Sequence, residues 1–179
     1  MTQHWTINGS LTVVPAETRT ELLAAPVAAA LPVGSGVAEI DAQLADTAAF
    51  CEHYGVPTTA SANCVIVAGR RGPDTGYAAC LALATTRINV NTVVRKRLNA
   101  RKASFAPMND AVEFTGMEYG GITPVGLPAD WPILVDAAVA AAPELVIGSG
   151  RRDSKLFVSG DALAALPGAE VIEGLATPV

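Results

Sequence analysis

The chain has 179 residues, of which half are apolar and 16% are charged, and its formal net charge is −5. This length suits one domain with a single well-filled core and is too short for two ordinary domains. The negative charge argues against a nonspecific nucleic-acid binder, because such proteins hold phosphates with many cationic side chains.

The N-terminal residues, Met1 to His4, lack the basic start and apolar stretch of a secretory signal peptide. The longest apolar stretch, Leu22 to Val33, is interrupted by Pro26 and Pro32. It is also shorter than the roughly 20 residues that cross a bilayer. We therefore expect a cytoplasmic protein that has no membrane partner.

Residues 1–36 are expected to form an N-terminal extension, packed on the main domain or linked to it. Within it, Leu11 to Val14 suggests a short strand, and Thr18 to Leu31 suggests a helix broken at Pro26. Another interpretation of this extension is that its apolar part, Leu22 to Val33, forms a dimerisation surface.

The main domain is expected to span residues 37–179. It opens with a predicted helix in which apolar residues recur at spacings of four and three, at Ile40, Leu44, Ala48 and Cys51. Two apolar runs, Cys64 to Ala68 and Tyr77 to Ala84, predict a hairpin joined by a long basic turn. Asn89 is the predicted N-cap of a helix that continues to Leu98. Later in the chain, helices are predicted at about Met108 to Phe114 and at Asp161 to Leu166. One strand is predicted to end at Phe105. Further predicted strands are Ile133 to Val135, Leu145 to Ile147, Leu156 to Val158 and Val171 to Ile172.

The cysteines Cys51, Cys64 and Cys80 are odd in number and include no Cys-x-x-Cys pair. This pattern argues against a disulfide framework and against a zinc site. His53 lies two residues from Cys51, but no second pair or carboxylate at ligand spacing accompanies them. We expect neither a metal nor a cofactor.

Basic residues cluster between Thr75 and Asn109, a segment without a single carboxylate. The segment contains Arg87, Arg95, Lys96, Arg97, Arg101 and Lys102, half of all the basic residues. One interpretation is a face that binds phosphates. The other is the solvated side of a helix whose C-terminal cations complement the helix dipole.

The segment from Phe114 to Gly126 contains three glycines and a proline within seven residues, so it must be a shaped loop. Backbone amides in such a loop can converge on an oxygen that gains negative charge during a reaction. The predicted donors are the amides of Gly120, Gly121, Ile122 and Thr123. Pro124 would fix the loop, Gly126 would let the chain leave tightly, and Met117 would line a small apolar pocket.

Two further positions follow predicted strands. Asp136 either orients a substrate amine or a water molecule, or caps the helix that begins at Ala137. Gly148, Ser149 and Gly150 form a second glycine turn, which lacks the rest of a dinucleotide-binding fingerprint.

These motifs together resemble the YbaK and prolyl-tRNA-synthetase-associated domain family of free-standing editing domains. The resemblance runs from about Ile40 to about Leu175 and is most specific in the loop from Gly116 to Gly126. It implies an α/β (α+β) fold with a mixed, curved or barrel-like β-sheet and flanking helices. It also implies hydrolysis, in trans, of the ester bond of mischarged aminoacyl-tRNA that carries a small amino acid such as alanine, cysteine or proline.

The resemblance also implies roles for particular residues. The amides at Gly120 to Thr123 would stabilise the oxyanion, and the turn Gly148, Ser149 and Gly150 would border the same pocket. The acceptor end of the tRNA would lie on Arg95, Lys96, Arg97, Arg101 and Lys102. A synthetase is a second candidate partner, and DNA is not an expected one.

One position departs from the family pattern. Family members usually carry a lysine where this chain has Asn63, and an asparagine can hydrogen-bond a carbonyl or a ribose hydroxyl but brings no positive charge. The alternative function is therefore a catalytically weak or inactive module of the same fold that binds tRNA or an aminoacyl group.

Overall fold

A computed structural model describes residues 4–179 as eleven strands in three open sheets, with six short α-helices. The strands are β1 Val14–Pro15, β2 Gly36–Glu39, β3 Ala62–Arg71, β4 Asp74–Leu83, β5 Thr86–Ile88, β6 Lys102–Phe105, β7 Ile133–Asp136, β8 Leu145–Gly148, β9 Ser154–Val158, β10 Ala169–Ile172 and β11 Ala176–Pro178. The helices are α1 Ala25–Ala29, α2 Thr47–Tyr54, α3 Arg95–Arg97, α4 Met108–Thr115, α5 Ala137–Ala140 and α6 Gly160–Ala164. This arrangement confirms the mixed α+β fold with flanking helices.

The largest sheet has five strands in the order β10-β7-β4-β3-β6. The hairpin of β3 and β4 is its centre, and β7 adds to β4 in parallel. The predicted hairpin is confirmed, but the predicted long basic turn is wrong. Ladder pairing continues to Arg71 and Asp74, so only Gly72 and Pro73 turn the chain. Gly72 adopts a φ of 58°, which a side chain would disfavour.

A second sheet has four antiparallel strands in the order β1-β2-β9-β8. Every residue of β9 is buried, and β9 pairs with β2 on one side and with β8 on the other. The predicted helix from Val37 onward is therefore wrong over its first turn, because these residues form β2. A short 3-10 helix follows at Ala42–Leu44, and α-helix begins at Thr47, where α2 starts.

Strands β5 and β11 form a small two-stranded ribbon. In the chain, β5 is followed by a π-helical turn, Val90–Val94, which continues directly into α3. A helical segment in this region is confirmed. The predicted capping role of Asn89 is wrong, because its side chain caps nothing and its Nδ2 donates instead to the carbonyl of Gly174, at 3.0 Å.

The main core lies between the two larger sheets, with Ile66, Leu81 and Val135 from one and Leu145 and Leu156 from the other. Residues of the N-terminal segment belong to this core as well, namely Leu22, Leu23, Ala24 and Val27. Most of the apolar stretch proposed for dimerisation is therefore used inside the molecule, although Val33 is fully exposed. No helix between residues 4 and 179 has the length and hydropathy needed to cross a membrane.

Candidate functional site

A cavity of about 500 Å³ opens where the start of β3 approaches β8 and β9. An isolated bridge between Ser61 and Val146 joins the two larger sheets beside it. The walls come from the start of α2, the start of β3, the end of β6, the loop that follows α4, and β8 with β9. They consist of Ala45, Asp46, Thr47, Phe50, Ser61, Ala62, Asn63, Cys64, Val65, Ile66, Phe105, Ala106, Ala111, Tyr119, Gly120, Ile122, Val146, Ile147, Gly148 and Lys155.

The two glycine-rich segments found in the sequence pack against each other at this cavity. The amide of Gly150 donates to the carbonyl of Gly121 at 2.7 Å, and the amide of Glu118 donates to the carbonyl of Gly150 at 2.9 Å. A Cβ added to Gly148 would lie 2.6 Å from the carbonyl oxygen of Gly121, and one added to Gly121 would lie 2.7 Å from the carbonyl oxygen of Arg151. Glycine is needed at these positions because only bare backbones can approach so closely.

The four amides predicted as oxyanion donors divide into two pairs. The amide of Gly121 donates to the carbonyl of Glu118 at 2.9 Å, and that of Thr123 points at the Sδ of buried Met117, at 3.5 Å. Gly120 and Ile122, by contrast, line the cavity, and their amides donate to no acceptor within residues 4–179. Two of the four predicted main-chain donors, those of Gly120 and Ile122, therefore have no acceptor among the described residues.

Asn63 and Gly148 are the other predicted site residues that line the cavity. The Oδ1 of Asn63 accepts a hydrogen bond of 2.7 Å from the Oγ1 of Thr47. This bond fixes the orientation of the Asn63 amide, because its oxygen is already engaged by the first residue of α2.

Asp136 does not reach the cavity. It is buried at the end of β7, where its Oδ2 accepts from the amide of Ala138 at 3.3 Å and its Oδ1 accepts from the amide of Ala176 at 3.2 Å. Of the two interpretations of this residue, the structure shows the helix cap.

Five predicted substrate-binding residues also lie behind the cavity wall rather than in it: Met117, Pro124, Gly126, Ser149 and Gly150. Ser149 is completely buried, and its hydroxyl is bonded to Ser154 Oγ at 2.6 Å and to the amide of Arg151 at 3.2 Å. A Cβ on Gly126 would lie 2.3 Å from the carbonyl oxygen of Pro26. These residues support the shape of the loop from behind.

Lys155 is a cavity residue that sequence analysis did not identify as part of the site. It lies in the middle of the second sheet, directly opposite Gly148 on β8, and is 8% exposed. Its Nζ donates to the carbonyl of Ala45 at 2.9 Å and lies 5.2 Å from the centre of the Phe50 ring. Burial lowers the pKa of Lys155 to about 8. Among the smaller contributions, Cys51 and Asp46 raise this pKa and Arg152 lowers it.

A sequence signal for Lys155 exists in the alternation of β9. Residues two apart on a strand share a face, so Lys155 points the same way as Phe157, which is completely buried. The positive charge that Asn63 lacks is therefore supplied to the cavity from the opposite sheet.

The surroundings of Cys64, the cysteine in the cavity wall, disfavour its thiolate form. Burial raises the pKa of the Cys64 thiol, and the neighbouring Cys80 raises it further. A thiol attacks only as a thiolate, and Cys64 remains protonated. Within residues 4–179, no group of three or more His, Cys, Asp or Glu side chains could hold a metal ion.

A second depression, which we call the basic groove, lies beside the cavity and is lined by Arg70, Asn91, Arg95, Arg101, Lys102, Ala103 and Ser104. Three of the predicted tRNA-binding residues meet there, together with Arg70. Lys96 and Arg97 do not line the groove, and the Nε of Arg97 is 2.5 Å from an Oε of Glu170. Strand β6 connects the two sites, since Phe105 at one end lines the cavity and Lys102 at the other lines the groove.

Comparison with known proteins agrees with this architecture. No curated protein matches the chain by sequence. The crystal structure of hypothetical protein APE2540 is 24% identical, with a TM-score of 0.69 over 79% of this chain and 90% of that one. A candidate trans-editing enzyme for prolyl tRNA synthetase is 20% identical, with a TM-score of 0.69 over 90% of this chain and 98% of that one. These similarities concern the fold.

The sequence itself carries the family assignment. The family model described as the aminoacyl-tRNA editing domain matches residues 41–166. That range includes every residue that lines the cavity, the loop after α4 and the turn after β8. The chain therefore belongs to the aminoacyl-tRNA editing domain family.

Proposed function

We propose that this protein hydrolyses the ester bond of mischarged aminoacyl-tRNA, acting in trans on small amino acids such as alanine, cysteine or proline. The observation that carries the proposal is the pair of amides without acceptors, on Gly120 and Ile122, in residues that line a cavity of about 500 Å³. Family membership supports acyl-ester chemistry at this site.

The ester carbonyl oxygen would lie against the two free amides. When water or a ribose hydroxyl attacks the carbonyl carbon, that oxygen becomes an oxyanion, and each preorganised donor contributes about 3 kcal/mol to the stability of the transition state. With water as the nucleophile, the bond between the acyl carbon and the ribose oxygen then breaks, and the ribose oxygen takes up the proton. The products are the free amino acid and uncharged tRNA.

The walls favour a small, apolar acyl group. Ile66, Val146 and Ile147 line the cavity, which lies beside the partly buried Ala106. Apolar pockets separate neighbouring small side chains by only about 1 to 3 kcal/mol, which leaves synthetases with errors that a second hydrolytic site removes. This supports a role in correcting small amino acids.

The basic groove is proposed to hold phosphates of the tRNA acceptor end. Its cations Arg70, Arg95, Arg101 and Lys102 form no salt bridge within residues 4–179. Lys102 and Phe105 are three positions apart in β6, a distance of about 10 Å along the strand. Phe105 and Tyr119 are 60% and 56% exposed where they line the cavity, so their rings are available to stack on the terminal base.

The test is release of labelled amino acid from tRNAs charged with alanine, cysteine or proline, each on a non-cognate tRNA. We expect release from at least one of them by the wild-type protein, and loss of release in Gly121→Ala. Gly76→Ala is the matched control, because a Cβ at Gly76 meets nothing within 4 Å.

The alternative, a binding module without hydrolytic activity, predicts a different result. Such a protein would bind the charged tRNAs but release none of the amino acids. Asn63→Lys would then restore release if the missing lysine were the cause.

A further inference from the structure

We propose that Lys155 binds the acyl carbonyl oxygen of the ester, so that its ammonium group and the amides of Gly120 and Ile122 form one oxyanion site. This inference rests on the proposed function, because it names the group that the ammonium would contact. Lys155 is a buried cation that lines the cavity and has hydrogen-bond donors left over.

The hydrogen bonds of Lys155 are incomplete. An ammonium group has three donors, and among the residues that the structure describes only one is used, in the bond of 2.9 Å to the carbonyl of Ala45. The ring of Phe50 covers another side of the group, with 5.2 Å between Nζ and the ring centre. Within residues 4–179 no carboxylate forms a salt bridge with Lys155. The remaining donor capacity is therefore free for a ligand.

The backbone brings Lys155 to the same wall as the free amides. Gly148 pairs with Lys155 across β8 and β9. A Cβ at Gly148 would lie 2.8 Å from the carbonyl oxygen of Ile122, so the loop packs directly on the residue opposite Lys155. All four residues, Gly120, Ile122, Gly148 and Lys155, line one cavity.

A purely structural role explains Lys155 less well. Burying an ammonium group that forms no salt bridge costs free energy, and an apolar side chain would fill the same space without that cost. A cation held in a cavity wall at this cost is typical of functional sites, where it meets negative charge that develops during a reaction.

The charge of Lys155 depends on pH within an accessible range. The groups that surround it are Asp46 and Cys51 at α2, Arg152 in the turn before β9, and Cys64 across the cavity on β3. Burial is the largest influence and holds the pKa at about 8, so the ammonium form predominates at pH 7. We expect the rate of ester hydrolysis to fall as the pH rises through about 8.

The test compares wild type with Lys155→Met and Lys155→Arg, each checked for native fold by circular dichroism. At pH 7 we expect Lys155→Met to lower kcat about 100-fold, the usual effect of removing one oxyanion donor. An arginine stays charged up to a pH above 12, so Lys155→Arg should retain part of the activity and lose the decline near pH 8. A folded Lys155→Met with wild-type kcat, or an unchanged alkaline decline in Lys155→Arg, would overturn the proposal.

A binding measurement separates this inference from the proposed function. The probe is an RNA microhelix that ends in alanine joined through a 3′-amide, which keeps the carbonyl and is not an ester. We expect wild type to bind it about tenfold more tightly than Lys155→Met at pH 7, and equally at pH 9.5. Equal affinities at pH 7, with hydrolysis by wild type intact, would refute the role of Lys155 alone. A wild-type protein that neither binds the probe nor hydrolyses the esters would refute both proposals.

Discussion

The cavity and the basic groove lie at opposite ends of β6, yet they hold positive charge in different ways. The cavity has a buried ammonium group, on Lys155, in its wall, whereas the groove has four cations near solvent. Buried charge is weakly screened by salt and sensitive to protonation, while solvated charge is screened within about 10 Å at 0.1 M salt. We therefore expect pH to control the cavity and salt to control the groove.

The largest effect is expected from a substitution that displaces the backbone of the cavity wall. Gly121→Ala would place a Cβ 2.7 Å from the carbonyl oxygen of Arg151 and displace the loop. We expect at least a 100-fold loss of ester hydrolysis, because the free amides of Gly120 and Ile122 would no longer be aligned.

The salt-dependent affinity for tRNA in Gly121→Ala should stay within twofold of wild type, because the groove is not touched. Gly76→Ala should match wild type in both measurements. Unchanged hydrolysis in a folded Gly121→Ala would remove this loop from the mechanism.

The next effect concerns the stability cost of the buried lysine. The pKa of Lys155 is about 8 in the folded protein and 10.5 when the side chain is free in water. Below pH 8 both states are protonated and the cost of burial is fully present. Between pH 8 and 10.5 the unfolded state holds more protons, so the free energy of unfolding rises with pH.

We therefore expect wild type to gain about 2 kcal/mol relative to Lys155→Met between pH 7 and pH 9.5. Denaturant titrations of both proteins at each pH measure this difference. A constant difference across that range would mean that burial does not perturb the lysine.

A smaller effect is expected from the groove. Replacing Arg101 and Lys102 together by glutamine should weaken tRNA binding about tenfold at low salt and flatten the dependence of log Kd on log salt by nearly two. The control is Arg87→Gln with Lys96→Gln, which removes the same charge from exposed positions outside the groove. Equal losses in the two double variants would show that net charge, rather than the groove, determines affinity.

The smallest effect is expected at Asp136, which lies in neither site. Asp136→Ala removes the acceptor for the amides of Ala138 and Ala176. We expect it to lower the free energy of unfolding by about 1 to 2 kcal/mol and to leave the rate of hydrolysis unchanged. Asp161→Ala, at an exposed position in α6, serves as the control for the change of charge. A lower kcat at unchanged stability would return Asp136 to the mechanism.

Local sequence signals predicted the parts of the fold that local physics decides. The apolar runs around Cys64 to Ala68 and Leu145 to Ile147 became strands, and α4 formed where its pattern predicted. The segment after Val37 was mispredicted because its apolar spacing fits a helix, whereas pairing with β9 places it in a sheet. Tertiary pairing overrides propensity in such short segments.

The lining of the candidate site was predictable where glycines were its signal, and less so where contacts between distant residues decide it. Gly120, Ile122 and Gly148 were predicted because the loop and the turn stand out in the sequence, and all three line the cavity. Lys155 was missed because its neighbours Ala45 and Phe50 lie more than 100 residues earlier in the chain. Asp136 matched two roles in the sequence, and the fold decides between them: its carboxylate lies outside the cavity and accepts from the amides of Ala138 and Ala176.

The register of strand β6 determines how far apart the cavity and the basic groove lie. The strand lies at the edge of its sheet and, within the described part of the chain, pairs only with β3, in the register from Val67 opposite Phe105 to Arg70 opposite Lys102. Under the proposed function, the strand would set the distance between the cavity, where the acyl group would bind, and the groove, where the phosphates would bind. Inserting a single residue into β6 would lengthen the strand by about 3 Å. It would also turn the side chains on one side of the insertion to the opposite face. Phe105 and Lys102 would then no longer hold their present positions relative to each other.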